Sequence, residues 1–371
     1  MTKGGSFKRA VRRDARAAGL SYTQALARRE RDRNTVDGRV GAWQRWRRLD
    51  GLADHFWRAY QARVVSVTTL SAHGGGIFRV DLADRPAPWV ARMVPPEARA
   101  GERVREDVEI LRLLERVGFP AERCAHPEPV SVYRGQHVLV TGYVDGAARP
   151  PTPDHVRRLA DALGWLHTTS LDGATIRDGG ASGHDPAHVG KPNEDVRAAL
   201  GYLDAVADRV PPEGRSRFDA LRDEVDAADA CDGLPEALTT PRTGGPNVLV
   251  TGDGTPVFVD WKSGGRGPRL AAFAGLLQAA VGHPRADDVV DAVIDGYGRH
   301  VRLAADERDR LAGAMRLQPA YYAAWGYWRA VASGRTPDGS EPWWPDRRAT
   351  DAIAERVVAR LTDGGAERWS K

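Results

Sequence analysis

Two oxygen-bearing side chains, Asn247 and Asp260, lie at the ends of two apolar runs that a turn connects. The runs Val248-Leu249-Val250 and Val257-Phe258-Val259 flank the turn residues 251–256, a pattern typical of a β-hairpin. In an antiparallel pair, the entrance to one strand and the exit from the next lie at the same end. We therefore expect an amide oxygen and a carboxylate to face one site, as a hard cation such as Mg²⁺ requires.

The segment around this hairpin resembles the catalytic segment of the aminoglycoside phosphotransferase and choline kinase family. Its members are small-molecule kinases with a protein-kinase-like fold. The sequence matches the family pattern from Leu234 to Leu238 and again from Asn247 to Trp261, but the family's His falls on Thr240 and its catalytic Asp on Arg242. We interpret the chain as a divergent, actinobacterial-type member. The alternative is an ordinary surface turn, because Asn and Asp favour turns for local reasons.

The resemblance implies an α+β chain with a two-lobed protein-kinase-like fold, a small β-rich N-lobe and a larger helical C-lobe. At 371 residues and 42% hydrophobic content, the chain is long and apolar enough for two lobes. We expect a basic helical extension over 1–37, the nucleotide-binding N-lobe over 38–145, and the C-lobe over 146–371. The C-lobe then carries the catalytic hairpin and the acceptor region.

The resemblance also implies that ATP and Mg²⁺ bind between the lobes. Predicted strands over 64–69 and 77–82 flank Gly74-Gly75-Gly76, where bare backbone is able to approach phosphates. A plain flexible turn is the alternative for these glycines. On the next predicted strand, over 89–94, Arg92 takes the place of the Lys that binds the α- and β-phosphates.

Further nucleotide-site residues are implied by the same resemblance. In the kinase fold, a Glu on the helix after this strand pairs with the strand cation. We assign that role to Glu106, with Glu109 in reserve, and a charged helix face is the alternative for either. Thr141 and Tyr143 lie at the implied hinge and are assigned to the nucleotide, where backbone groups contact the adenine.

The residue at position 242 decides the expected activity. Phosphoryl transfer requires a carboxylate that orients the attacking hydroxyl and accepts its proton. Arg242 cannot serve as this base, because Arg does not lose its proton in proteins. The sequence therefore predicts a pseudokinase that binds Mg-ATP and acts on a small-molecule acceptor weakly, or instead contacts a protein partner. The alternative is an active ATP-dependent phosphotransferase that uses a non-standard base on a small-molecule hydroxyl.

Three other features have open roles. Residues 171–192 are rich in Gly, Asp, Ser, His and Pro, which predicts a long loop that is either functional or mobile. His167, at the end of a predicted helix, is interpreted as a packed histidine rather than a base. An aromatic stripe indicates either core packing or the wall of an acceptor pocket, and it comprises Tyr321, Tyr322, Trp325, Tyr327 and Trp328.

Cysteine content and hydropathy bear on the compartment. Only two cysteines are present, Cys124 and Cys231, so no disulfide framework is indicated and a reducing environment fits. No apolar run approaches the ~18 residues of a membrane span. We expect a cytoplasmic protein that does not bind membranes.

The formal net charge of +4 conceals an asymmetry along the chain. Residues 1–50 contain fourteen Lys or Arg and five Asp or Glu, so the remainder is mildly acidic. Within this basic region, residues 1–35 are predicted to form two short helices, which we interpret as a solvated, partly disordered extension. The alternative is that they contact phosphates of a nucleic acid or another acidic partner.

If residues 1–35 bind nucleic acid, the affinity should fall steeply as the salt concentration rises, because phosphate neutralisation releases counterions. A filter-binding or fluorescence titration over a series of salt concentrations measures this slope. Deleting residues 1–35 should abolish the binding and leave nucleotide binding intact. Binding that is absent, or independent of salt, would contradict the prediction and favour the solvated extension.

Overall fold

The structure is a computed structural model that describes residues 51–70, 76–94, 101–181, 190–240, 247–337, 339, 341 and 344–363. The predicted basic extension over 1–37 lies outside the described residues. So do three of the predicted site residues, Gly74, Gly75 and Arg242.

An antiparallel five-stranded sheet forms the N-terminal part of the described chain, with the strand order β1-β2-β3-β5-β4. Helix α1 (Leu52–Tyr60) precedes the sheet, and helix α2 (Gly101–Arg116) follows its third strand. The strands are β1 (Val64–Thr69), β2 (Gly76–Leu82), β3 (Trp89–Val94), β4 (Val130–Tyr133) and β5 (Gln136–Gly142).

The sheet is covered on both faces because apolar side chains alternate along its central strands. On β5, Val138 and Val140 belong to the cluster that contains Phe56 of α1, whereas Leu139 packs with Val104 of α2. All of these side chains are at most 4% exposed. Helix α2 is thereby held against the sheet from the side opposite α1.

The C-terminal part is helical, with two small antiparallel sheets. A three-stranded sheet has the order β6-β8-β9, and a two-stranded sheet pairs β7 with β10. These strands are β6 (Gly146–Ala147), β7 (Glu236–Thr239), β8 (Val248–Thr251), β9 (Pro256–Phe258) and β10 (Gly265–Pro268). The helices are α3 (Pro153–His167), α4 (Asn193–Asp204), α5 (Arg215–Asp226), α6 (Arg269–Leu277), α7 (Ala286–Tyr297), α8 (Ala305–Asp309), α9 (Leu311–Ala332) and α10 (Arg347–Asp363).

The predicted α+β class, with a β-rich N-terminal sheet and a helical C-terminal part, is confirmed. The strands predicted over 64–69 and 89–94 have these bounds in the structure. Helices α8 and α9 are separated at Arg310. The pairing of β10 with β7 was not predicted, because a run of Gly and Pro lacks the alternation of a strand. The division at residue 145 stays a prediction.

The structure resolves the role of His167 and of two aromatic residues in the stripe. His167 is buried, its Nδ1 lies 2.7 Å from the Tyr297 hydroxyl, and burial lowers its pKa to about 3, so the ring is neutral at neutral pH. Its interpretation as a packed histidine is confirmed. Tyr321 and Tyr327 are buried against α4 and α5, which favours core packing for these two. No helix in the described ranges is long and apolar enough to cross a membrane.

Candidate functional site

The predicted hairpin brings Asn247 and Asp260 to the same end of two paired strands. Val248 pairs with Phe258, and the Val259 amide donates to the Asn247 carbonyl oxygen at 2.9 Å. The turn closes because Gly254 adopts a φ of 85° and the Asp253 carboxylate accepts from the Thr255 amide. The hairpin prediction is confirmed, and an Asp carboxylate follows it by two residues.

Asp260 has a backbone conformation that is rare for a residue other than glycine. Its φ is 63°, in the left-handed region, and its amide donates to Oε1 of Glu122 at 2.7 Å. The Asp260 carboxylate is partly exposed and lies 3.3 Å from Nζ of Lys262. Glu122 is 3% exposed, so a buried carboxylate holds the backbone at this point.

The same carboxylate also pairs with Arg92 on β3. Nη1 of Arg92 lies 2.7 Å from Oε2 of Glu122, and it also donates to the Thr141 hydroxyl at 3.1 Å. Burial by itself lowers the pKa of Arg92, but the negative charges of Glu122, Asp260 and Asp107 outweigh burial and raise it. Glu122 therefore joins the strand cation to the backbone of Asp260.

Thr141 takes part in this network through its side chain. Its hydroxyl donates to Oε2 of Glu122 at 2.8 Å, and the residue is fully buried on β5. The side chain thus supports the ion pair between Arg92 and Glu122. The assignment of residue 141 to the nucleotide stays a prediction.

The predicted pairing of Arg92 with Glu106 is wrong in this structure. Glu106 lies on α2, 3.1 Å from Arg103 and 3.7 Å from Arg177, and the reserve residue Glu109 contacts Arg112. Glu122, which follows α2 rather than lying on it, occupies the place beside Arg92. The physical reason is that the chain after Phe119 pairs with β9, which brings the Glu122 side chain beneath β3 and β5.

The remaining predicted residues lie on elements that border this network. Gly76 begins β2 and pairs with Met93 on β3. Tyr143 directly follows β5, and its ring lies 4.7 Å from the Arg79 guanidinium carbon. Thr240 is buried directly after β7. Their assignments to nucleotide or catalysis stay predictions.

The donor set at the end of the hairpin suits Mg²⁺ with few protein ligands. Asn247 contributes an amide oxygen and Asp260 a carboxylate, and Mg²⁺ is commonly held by one or two such groups together with phosphates and water. Within the described ranges, no group of three or more His, Cys, Asp or Glu side chains is arranged to hold a metal ion. The assignment of Asn247 and Asp260 to a metal ion stays a prediction.

The family to which this chain belongs follows from its match to a family model. The model of the phosphotransferase enzyme family matches residues 71–313, about two thirds of the chain. The chain belongs to this family. A comparison with curated protein sequences finds no match.

Solved structures of phosphotransferases share the fold of this family member. An amicoumacin kinase in complex with AMP-PNP and Ca²⁺ has a TM-score of 0.57 at 10% identity and covers 87% of this chain and 96% of its own. A spectinomycin phosphotransferase in complex with ADP and spectinomycin has a TM-score of 0.54 at 13% identity, and the match covers 85% of this chain and 98% of the phosphotransferase. The choline kinase of Streptococcus pneumoniae also reaches 0.54 at 13% identity, covering 82% and 98%.

Three residues of the site were not predicted from the sequence, namely Glu122, Arg177 and Lys262. Lys262 has a local signal, because it follows Asp260 at a spacing of two residues. Glu122 and Arg177 have none, since neither lies in a periodic segment and their partners are distant in sequence. The composition of residues 171–192 predicts only a long loop around Arg177.

Substitution of Glu122 by Ala should destabilise the protein by about 3–5 kcal/mol, because it leaves the buried Arg92 charge without its partner. The matched control is Glu109→Ala, whose exposed pair with Arg112 should contribute only ~0–1 kcal/mol. Urea denaturation of both variants measures the difference. Equal losses of stability would contradict the assignment of Glu122 as the partner of Arg92.

Proposed function

We propose that this protein binds Mg-ATP between the predicted N-lobe (38–145) and C-lobe (146–371), and that its phosphoryl transfer is lost or strongly weakened. Arg92 would neutralise phosphate charge, and Asn247 with Asp260 would hold Mg²⁺. When bound, Mg²⁺ would supply positive charge at the phosphates. The acceptor would be a small molecule, and a protein partner is the alternative if the protein acts without catalysis.

One observation carries this proposal. The buried Glu122 carboxylate contacts both the Arg92 guanidinium and the Asp260 amide, at 2.7 Å each. Glu122 thereby holds Arg92 of the sheet and Asp260 of the hairpin, a cation and a residue with a carboxylate, on either side of itself. A nucleotide phosphate with a bound metal ion requires both kinds of group, a cation at the phosphates and an oxygen ligand for the metal.

The related structures support the nucleotide as ligand. The amicoumacin kinase was solved with AMP-PNP and Ca²⁺, and the spectinomycin phosphotransferase with ADP. Both have folds similar to this chain and low sequence identity to it. Their ligands therefore suggest the class of ligand for this protein, and the contacts of Arg92 and Asp260 supply the chemistry.

The expected loss of catalysis depends on the sequence at 240 and 242. Arg242 cannot accept a proton from an acceptor hydroxyl, because its guanidinium remains charged throughout the physiological pH range. A fixed positive charge near the γ-phosphate would favour nucleotide binding and leave the acceptor unoriented. Binding without efficient turnover is the combination that this arrangement predicts.

A specific observation favours the alternative, an active phosphotransferase with a different base. Asp195 on α4 is 2% exposed and lines a small cavity together with Gly180. A Cβ at Gly180 would lie 3.2 Å from Thr239, the residue before Thr240. A buried carboxylate therefore lies near the segment that carries the family's catalytic residues, and Asp195→Asn tests whether it is the base.

Mg-ATP at ~100 times its dissociation constant should stabilise the native protein by about 2.7 kcal/mol, which raises its unfolding temperature. Asp260→Ala should lose this shift, because the metal loses its charged ligand. The matched control is Asp253→Ala, an exposed carboxylate in the turn of the same hairpin, which should retain the shift. Differential scanning fluorimetry measures it, and an identical shift in wild type and Asp260→Ala would refute the metal assignment.

The native protein should turn over ATP far below ~1 s⁻¹, the lower end of the usual kinase range, with hydroxylated and amino-sugar acceptors. The double change Thr240→His with Arg242→Asp should raise the rate, because a positioned base contributes roughly 10²- to 10⁴-fold. Arg242→Asp alone should restore less, since Thr240 lacks the His ring. Native turnover at ~1 s⁻¹ or faster that Asp195→Asn abolishes would show that the base is Asp195.

A further inference from the structure

Arg177 lies in the segment between α3 and α4, and its side chain is only 2% exposed. Nη2 contacts the Asp107 carboxylate at 2.7 Å and the carbonyl oxygens of Trp261 and Lys262 at 2.9 and 3.1 Å. Nε donates to the Gly264 carbonyl at 2.9 Å. All three nitrogens of the guanidinium are engaged, because Nη1 donates to a further carbonyl on α2 at 3.0 Å.

These contacts join two elements that are far apart in sequence. Asp107 belongs to α2, which packs on the N-terminal sheet. Trp261, Lys262 and Gly264 belong to the short turn that directly follows Asp260. The planar fork of an arginine suits such a junction, because it presents five donors in fixed directions, whereas a lysine ammonium is a compact group that cannot reach them all.

The turn that Arg177 holds begins at the strained residue of the site. A left-handed conformation at a residue other than glycine costs free energy and persists only where the surroundings determine it. Two buried charged side chains determine the conformation at Asp260, one through its amide and one through the residues that follow it. Glu122 accepts from the Asp260 amide, and Arg177 donates to the next two carbonyls along the chain.

We propose that Arg177 is a positioning residue for Asp260, and that it couples the orientation of this carboxylate to the position of α2. Its effect on ligand binding rests on the proposed function, in which Asp260 binds the metal. Its effect on the conformation of the turn does not. The two are separable by experiment, because the turn is observable without any nucleotide.

The first measurement is hydrogen exchange of the full-length protein without ligand, comparing wild type, Arg177→Met and a control. The control is Arg269→Met, which removes the partner of the fully buried Glu307 between α6 and α8. Arg177→Met should accelerate exchange roughly tenfold or more at residues 260–265 and at the start of α2, because several charge-assisted hydrogen bonds are lost. Arg269→Met should leave these two segments protected and accelerate exchange around residues 303–307.

The second measurement is nucleotide affinity with Mg²⁺ and with EDTA. Arg177→Met should lower the affinity for Mg-ATP by roughly tenfold or more, as residues that orient metal ligands do, and leave the metal-free affinity unchanged. Arg177→Lys should restore part of the loss. Arg269→Met should lower the unfolding temperature without altering the ratio between the two affinities.

The positioning role would be overturned if Arg177→Met exchanged at the wild-type rate at residues 260–265. It would also be overturned if exchange in Arg177→Met rose equally along the whole chain. An unchanged ratio of affinities would overturn it as well in a wild type that binds Mg-ATP. If Arg177→Met does not fold, Arg177→Lys gives the same comparison. A wild type without metal-dependent nucleotide affinity refutes the proposed function, and the exchange result still decides the role of Arg177.

Discussion

The site depends on the ion pair between Arg92 and Glu122. Both side chains are largely removed from water, so each charge would be costly without the other. The Thr141 hydroxyl donates to Oε2 of Glu122, the oxygen that contacts Arg92, and the other oxygen of Glu122 accepts from the Asp260 amide. Strand β3, the segment after α2 and the end of the hairpin must therefore keep their relative positions. Any rearrangement of one would leave a buried charge or a buried amide without a partner.

A second buried charge restrains the short turn that directly follows Asp260. Arg177 holds the carbonyls that follow Asp260, and its guanidinium pairs with Asp107 on α2. The left-handed backbone at Asp260 is thereby fixed by two charged residues that come from different parts of the chain. Strain concentrated at one residue and held by buried charges is typical of functional sites. This restraint supports a binding role for the Asp260 carboxylate within the proposed function.

Glu106 and Glu122 have different cationic partners in this structure. In the family, the partner of the strand cation is expected on the helix, whereas this chain provides a carboxylate from the segment that follows it. Glu106 and its neighbour Asp107 contact Arg177 instead. Glu122 thus balances the charge of Arg92, and Glu106 with Asp107 balances the charge of Arg177. Helix α2 is therefore anchored through Arg177 and not through Arg92.

The sequence by itself determined the hairpin, most strands of the N-terminal sheet and the family, because these depend on local alternation, turn residues and short motifs. It also indicated Arg92, Asn247 and Asp260 as candidate site residues from their types and their positions on or beside predicted strands, and these assignments stay predictions. Only the tertiary structure decided the partners of these residues. Glu122 and Asp260 are 138 residues apart, and Arg177 and Gly264 are 87 apart. Contacts over such separations arise from how elements pack, and no local periodicity in the sequence records them.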